Sequence, residues 1–301
     1  MPRKQRNQLV DTVNDAVLRG LIGAARLLPY RWRIPFFGWA SAWIIAPIAG
    51  WRSRIRNNLR LVAPDLAPPD VRRILRGAPD NAGRSMIEMY SGDDFLDRAR
   101  ALELEGPGVA ALEDAHKAGR PIIVATAHFG NYNAARAALL AKGYNIGSLY
   151  RAPSNRKFAP HYTRMLAAVG GTLFSRDRKG MTQMLRHLKS GEPLLILFDL
   201  HVTRGAELSF LGQPAVTSLA AADMALRHNA LLVPFYGIRS DNGLDFRVVI
   251  DQPIAHSTPQ AMMQALNDGL EQHVIKHRAQ WNFMHRRWKV DAKRANSRHA
   301  N

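Results

Sequence analysis

The chain of 301 residues contains no cysteine and is short of acidic residues. Without cysteine, disulfide bonds, thiolate catalysis and cysteine-based zinc sites are excluded. The 24 aspartates and glutamates face 42 lysines and arginines, so the formal net charge is +18. Such an excess of positive charge predicts an anionic partner, which is a nucleic acid, an acidic membrane surface or a phosphorylated substrate.

The sequence also lacks a long, uninterrupted apolar run. The N-terminus is basic, but no standard signal peptide follows it. The longest uncharged stretch, residues 34–51, is at the short limit for a spanning helix, and Pro35 and Pro47 interrupt it. Its aromatic residues and the arginines on both sides are typical of a helix at the membrane–water interface. The alternative is a buried helix of the domain.

The arrangement of apolar segments changes near residue 105. The first hundred residues are mostly helical, and after them short apolar strands alternate with helices of 10–15 residues. This alternation predicts an α/β fold with a mostly parallel central sheet flanked by helices. We expect a membrane-associating helical region at 1–100, an α/β domain at 101–290 and a basic tail at 291–301.

Four charged or titratable residues stand at or just past the ends of predicted strands. They are His128, Arg151, Arg176 and Asp199. In parallel sheets, active sites lie at the carboxyl ends of the strands. His128 closes the apolar run of "PIIVATAHFGNYNAAR" at residues 121–136 and has the position of a catalytic base.

Several motifs follow one another in an order that resembles a known family. They are His128 to Asn133, then Gly171, Phe174 and Arg176 in "GTLFSR", then Asp199 in "FDLH", then Val233 and Pro234 in "LLVPFYG". This order resembles the glycerolipid acyltransferases. The segments "RIRNNLRLVAPDL", "LYRAPSN", "ELSFLGQPAVTSLAAADMAL" and "QWNFMHRRWK" are more similar to one branch, the lipid A lauroyl/myristoyl acyltransferases, which include relatives acting on phosphatidylinositol mannosides. The resemblance covers about residues 50–290.

The resemblance implies acyl transfer from a thioester donor, either acyl carrier protein or coenzyme A, to a hydroxyl of a lyso-lipid acceptor. It implies an enzyme on an anionic membrane surface, at the cytoplasmic face of a bacterial inner membrane, with no metal and no cofactor. A lipid A precursor is the expected acceptor, and an ornithine-type lyso-aminolipid is the alternative. A basic, catalytically inactive protein that binds anionic lipid or nucleic acid is the hypothesis from another class, although no nucleic acid partner is expected.

The same resemblance suggests roles for individual residues. His128 would deprotonate the acceptor hydroxyl, since histidine titrates near neutral pH. Gly130 would allow close approach of the backbone, and Asn131 begins a helix whose N–H groups would stabilise the oxyanion. The anion site would contain Arg151, Arg176 and Lys179, with His201 near it.

Residue 133 departs from the family pattern, because Asn133 stands where an acid is expected to support His128. One explanation is that another carboxylate fills the role, with Glu207 favoured over Asp199 because a carboxylate in an apolar segment needs a partner. The alternative for Glu207 is a solvated charge on an edge strand. The second is that the catalytic acid has been lost and the chain is inactive. The third is that the amide of Asn133 suffices to orient the imidazole.

The segment "QWNFMHRRWK" interleaves aromatic and basic residues. Trp281, Phe283 and Trp288 alternate with arginines and a lysine. Stacking on nucleic-acid bases is one interpretation. An amphipathic lid or membrane-docking strand, whose apolar residues pack back on the sheet, is the other and the better match to the family.

Overall fold

A computed structural model of the chain describes residues 8–150, 157 and 159–288. It has a seven-stranded sheet and a separate two-stranded hairpin. The sheet contains β1 (Leu104–Glu105), β2 (Ile122–Thr126), β3 (Gly147–Leu149), β4 (Thr172–Phe174), β5 (Leu194–Leu197), β8 (Leu231–Arg239) and β9 (Phe246–Ile250), and the hairpin contains β6 (Ala206–Phe210) and β7 (Gln213–Thr217). The predicted α/β class is confirmed.

The strands of the sheet lie in the order β1-β9-β8-β2-β5-β3-β4. Strands β8, β2, β5, β3 and β4 are mutually parallel, and β9 is antiparallel to β8. Every residue of β2 and β8 is buried. Strands covered on both faces are expected to be continuously apolar, and this explains the unbroken run that precedes His128.

The described residues form twelve α-helices, which pack around the sheet or make up the N-terminal region. They are α1 (Gln8–Arg26), α2 (Tyr30–Ala40), α3 (Ala46–Ile48), α4 (Trp51–Val62), α5 (Pro68–Met89), α6 (Asp93–Arg100), α7 (Val109–Lys117), α8 (Tyr132–Ala141), α9 (Ala159–Ala168), α10 (Arg178–Lys189), α11 (Ala220–Arg227) and α12 (Pro259–Lys276). A π-helical turn at Ser41–Ile45 joins α2 to α3, and a 3₁₀ turn at Arg278–Gln280 follows α12.

The two faces of the sheet carry separate hydrophobic cores. Ile123 and Ala125 of β2 belong to the core that includes α5 and α12, whereas Ile122 and Val124 belong to the core on the α7 and α8 side. Alternation along one strand produces this division, because successive side chains point to opposite faces. Helix α5 therefore covers the sheet directly beside the end of β2.

The N-terminal helices expose many large apolar side chains. Within residues 30–48, those at least 45% exposed are Trp32, Phe36, Trp39, Trp43, Ile44, Ile45 and Ile48. No single helix among the described residues is long and apolar enough to cross a membrane. Among the described residues, the bent pair of Tyr30–Ile48 and Trp51–Val62, with an angle of 87° between its halves, has the length and apolar composition of a broken membrane span.

The β6–β7 hairpin was not predicted from the sequence. In the chain, the hairpin lies between β5 and α11. It contacts α12, where the Ser209 N–H donates to Gln264 Oε1 at 2.9 Å. In β6 the apolar residues Ala206, Leu208 and Phe210 alternate with the exposed Glu207 and Ser209, which is the pattern of a half-buried strand.

Candidate active site

His128 and Asp199 meet because their strands are neighbours in register. Thr126, the last residue of β2, pairs with Leu197, the last residue of β5. His128 lies two residues beyond Thr126, and Asp199 lies two residues beyond Leu197. The His128 Nδ1 and the Asp199 Oδ1 are 2.8 Å apart. The carboxyl edge of the sheet thus brings the predicted base against one of the predicted acids.

Three donors hold the buried carboxylate of Asp199. Its Oδ1 contacts the ring of His128, and its Oδ2 accepts hydrogen bonds from the His128 backbone N–H at 2.9 Å and the Trp281 indole N–H at 3.1 Å. The side chain of Asp199 is completely buried, whereas that of His128 is 26% exposed. Because Nδ1 is engaged with the carboxylate, Nε2 of His128 is the nitrogen available to a substrate.

The pair shifts the pKa values of both groups. Burial lowers the pKa of His128, but the charge of Asp199 and its hydrogen bond raise it above the ordinary value of 6.5. Burial raises the pKa of Asp199, yet the charge and hydrogen bonds of His128 outweigh burial and lower it from 3.8 to about 2. At neutral pH the carboxylate is therefore ionised, and its charge favours the protonated form of the imidazole more than in a free histidine.

A second histidine, His285, packs edge-on against His128, with ring centroids 4.9 Å apart. Burial and the charge of His128 lower its pKa to about 4, so it is neutral at physiological pH. Asn282 Oδ1 accepts from the Met284 N–H, which directs Nδ2 of the same amide to His285 Nε2 at 3.0 Å. An amide nitrogen only donates, so His285 carries its proton on Nδ1.

The backbone after His128 is held by two other segments. The Gly130 N–H donates to the Gln280 carbonyl at 3.0 Å, and the Asn131 N–H donates to the Gly237 carbonyl at 2.8 Å. Gly130 has φ of +55°, and a Cβ on it would lie 1.9 Å from the Gly237 oxygen. Its predicted close approach is therefore to β8 and not to a substrate.

Two of the N–H groups at the start of α8 that were expected to stabilise an oxyanion, those of Asn133 and Ala134, are already used. Asn131 Oδ1 accepts hydrogen bonds from the N–H groups of Asn133 at 3.0 Å and Ala134 at 3.3 Å, as the cap of α8. The other end of this side chain, Nδ2, donates to Glu88 Oε2 at 2.7 Å. The side-chain polar atoms of Asn131 thus hold the helix, and its predicted contact with substrate is not supported by this geometry.

A buried ion pair anchors this cap. Glu88 of α5 and Arg239 at the end of β8 form two hydrogen bonds, of 2.5 and 2.8 Å, and Arg239 Nε also donates to Asn81 Oδ1 at 2.8 Å. Neither side chain is more than 6% exposed. Helix α5, β8 and the loop after His128 are therefore joined by one network of charge-assisted hydrogen bonds.

His128 opens on a cavity of about 360 Å³. The cavity lies between α5, the 128–133 loop, α9 and the segment after α12. Much of its wall is apolar, with Ala78, Ala82, Met86, Met89, Tyr90 and Tyr162 among the lining residues. An apolar cavity with a titratable group at one end is typical of a substrate site.

Asn133 and Glu207 do not support His128. Asn133 lines the cavity, and its Nδ2 is 3.0 Å from Met89 Sδ, while Asp199 occupies the Nδ1 side of the imidazole. Glu207 is exposed on β6, opposite Val216. The preference for Glu207 over Asp199 was wrong. Apolar and polar residues alternate along β6, and Glu207 therefore lies on the solvent-exposed face of the hairpin.

The structure does not gather the predicted anion site around His128. Arg176 follows β4, which lies three strand positions from β2, about 14 Å at the usual strand spacing. Lys179 is exposed in the first turn of α10. His201 is half-buried two residues beyond Asp199, and Arg151 lies outside the described residues.

The sequence did not indicate that Trp281 and His285, more than 150 residues along the chain, would join the site of His128. Trp281 and His285 lie in the segment that pairs with the loop after His128, through the Phe129–Trp281 bridge and the Asn282 N–H to His128 carbonyl bond of 3.0 Å. Trp281, Phe283 and Trp288 are all buried. They pack back as the alternative hypothesis expected, and they are not available to stack on bases.

Comparison with known proteins identifies the family of the chain. Residues 4–290 match the family described as bacterial lipid A biosynthesis acyltransferase. Phosphatidylinositol mannoside acyltransferases from two strains of Mycobacterium tuberculosis are 23% identical over 250 residues, which cover 80% of this chain and 78% of theirs. The chain belongs to the bacterial lipid A biosynthesis acyltransferase family, and it is an acyltransferase.

Proposed function

We propose that the protein transfers a fatty acyl group from a thioester donor to a hydroxyl of a membrane lipid. The observation that carries this proposal is the His128–Asp199 couple at the mouth of an apolar cavity. A hydroxyl is a weak nucleophile at neutral pH and needs a base in hydrogen-bonding reach.

In the proposed reaction, Nε2 of His128 takes the proton of the acceptor hydroxyl as its oxygen attacks the thioester carbonyl. The tetrahedral intermediate then breaks its C–S bond, and the leaving thiolate receives the same proton from His128. Asp199 is a positioning residue: it fixes the tautomer of His128 and stabilises the imidazolium formed between the two steps. The acyl chain lies against the Met86, Met89 and Tyr90 wall.

The acceptor we favour is a lipid A precursor, in keeping with the family description. The Mycobacterium tuberculosis relatives act, by name, on a phosphatidylinositol mannoside, so glycolipid acceptors form the wider class. An ornithine-type lyso-aminolipid is the remaining candidate. We place the protein at the cytoplasmic face of a bacterial inner membrane, because the exposed tryptophans and isoleucines of residues 30–48 adjoin arginine-rich helices.

The test is thiol release from purified protein supplied with acyl-coenzyme A or acyl carrier protein thioester and a panel of lyso-lipids. Lipid mass spectrometry identifies the acylated acceptor. We expect His128→Ala to abolish transfer while its melting temperature stays close to that of the wild type. Turnover by this variant at the wild-type rate would refute the mechanism, and salt-sensitive DNA binding without any transfer would support the inactive binding protein instead.

A further inference from the structure

A second groove, of about 340 Å³, lies between the end of α4 and the start of α5. It has an apolar floor and a basic rim. The floor contains Leu59, Leu66, Val71 and Leu75, and the rim contains Arg56, Arg60 and Arg72. No residue that lines this groove lines the cavity beside His128.

The three arginines of the rim are exposed, and among the residues that the structure describes none of them forms a salt bridge. Arg56 and Arg60 are four residues apart on α4 and so lie on one face of the helix, where like charges repel. By contrast, the neighbouring Arg73 pairs with Asp70 at 3.0 Å. An anion between the rim arginines would relieve the repulsion and accept several charge-assisted hydrogen bonds.

The groove and the cavity beside His128 are lined by the same face of α5. Val71 and Leu75 line the groove, and Ala78, Ala82 and Ser85 line the cavity. This spacing of three or four residues places all five on one face of the helix. At 1.5 Å per residue, Arg72 and Ser85 are about 20 Å apart along the axis. A ligand with an anion at the rim would thus have to be extended to reach the base.

We propose that the groove holds the phosphate and pantetheine of the thioester donor, with the phosphate on the three arginines and the thioester delivered to His128 along α5. Phosphopantetheine is an extended arm with one phosphate end and one thiol end, and both acyl carrier protein and coenzyme A present it. This inference rests on the proposed function. It also separates the donor from Arg176 and Lys179, which follow β4 at the edge of the sheet.

The kinetic test compares the triple variant Arg56→Gln/Arg60→Gln/Arg72→Gln with Arg73→Gln, which removes a charge from the same helix outside the groove. For the triple variant, we expect the KM for the donor to rise at least about tenfold, while kcat and the KM for the acceptor stay within about twofold. Running acyl-coenzyme A and acyl carrier protein thioesters as separate arms shows which of the two donors the protein uses. A donor KM equal to that of Arg73→Gln in both arms overturns the inference.

A binding test keeps this inference separate from the proposed function. Calorimetry measures the affinity of coenzyme A and of holo-acyl carrier protein for the wild type and both variants, with no turnover required. We expect at least one probe to bind the wild type and to bind the triple variant at least about tenfold more weakly. Equal binding to wild type and triple variant overturns the inference, as does binding of neither probe. Loss of affinity for phosphatidylglycerol vesicles alone would identify the groove as a lipid headgroup site instead. A wild type that binds the probes but releases no thiol would refute only the proposed function.

Discussion

Asp199 determines the charge and orientation of His128 at the scale of single residues. Removal of its charge should have two effects that a merely structural residue would not produce together. The rate should fall, because the imidazolium loses its counterion. The pKa of His128 should also fall, because burial lowers this pKa and the charge of Asp199 no longer raises it.

We therefore expect Asp199→Asn to lower kcat by roughly 10²- to 10⁴-fold. Neutral His128 is the active form, so activity is lost as the pH falls through its pKa, and in the variant this acid limb should move to lower pH. A pH–rate profile measures both effects. As a control, Trp281→Phe removes one neutral donor to the carboxylate and should cost no more than about tenfold. An unchanged acid limb in Asp199→Asn would contradict the assignment.

Asn133→Asp tests whether the departure from the family pattern matters. Because Asp199 already holds Nδ1 of His128, restoring an acid at 133 should not raise kcat/KM. A second negative charge near the cavity should instead move the acid limb to higher pH, by less than about one unit. A gain of orders of magnitude would show that residue 133, and not Asp199, is the missing partner.

At the scale of elements, the Glu88–Arg239 pair joins α5 to β8 and, through Asn131, to the start of α8. Buried pairs of this kind are costly to break from one side, because the remaining charge loses its partner. The position of His128 therefore depends on contacts made by α5, a helix that belongs to the N-terminal half of the chain.

We expect Glu88→Ala to lower the free energy of unfolding by about 3–5 kcal/mol and to reduce activity through the loosened loop. Urea denaturation and the transfer assay are the measurements. The matched control is Asp245→Ala, which breaks the exposed pair with Arg98 at 3.0 Å and should cost no more than about 1 kcal/mol. Similar losses for both variants would show that the buried network is not what holds the loop.

At the scale of the whole molecule, the proposed membrane contact rests on the exposed face of residues 30–48. Trp39, Trp43 and Ile48 are 50%, 45% and 83% exposed. The guanidinium groups of Arg52 and Arg76 lie over the ring of Trp43, at 5.3 and 4.7 Å, so apolar and basic groups meet there.

We expect Trp39→Ser/Trp43→Ser/Ile48→Ser to bind phosphatidylglycerol vesicles at least about tenfold more weakly than the wild type, because each buried apolar side chain contributes of the order of 1.5–3 kcal/mol. Vesicle flotation measures this. Ile275→Ser, which removes an apolar residue 46% exposed on α12, serves as the control and should bind normally. Equal loss in both proteins would contradict a specific docking face.

The sequence by itself was sufficient for the α/β class, for the alternation of strands and helices after residue 105, and for counting His128 and Asp199 among the candidates at strand ends, although it favoured Glu207 over Asp199 as the partner of His128. Strand and helix periodicity is a local property, and the carboxyl ends of parallel strands share one edge whatever their order. This is why an apolar run ending in a histidine could be recognised as a candidate site from sixteen residues.

Only the tertiary structure decided which residues meet at that edge. Strand order is set by long-range packing, which no local pattern records, and it places β5 next to β2 but β4 three positions away. For the same reason Asp199 reaches His128 and Arg176 does not. Trp281 and His285 join the site from more than 150 residues along the chain, because the segment after α12 pairs with the backbone of the His128 loop.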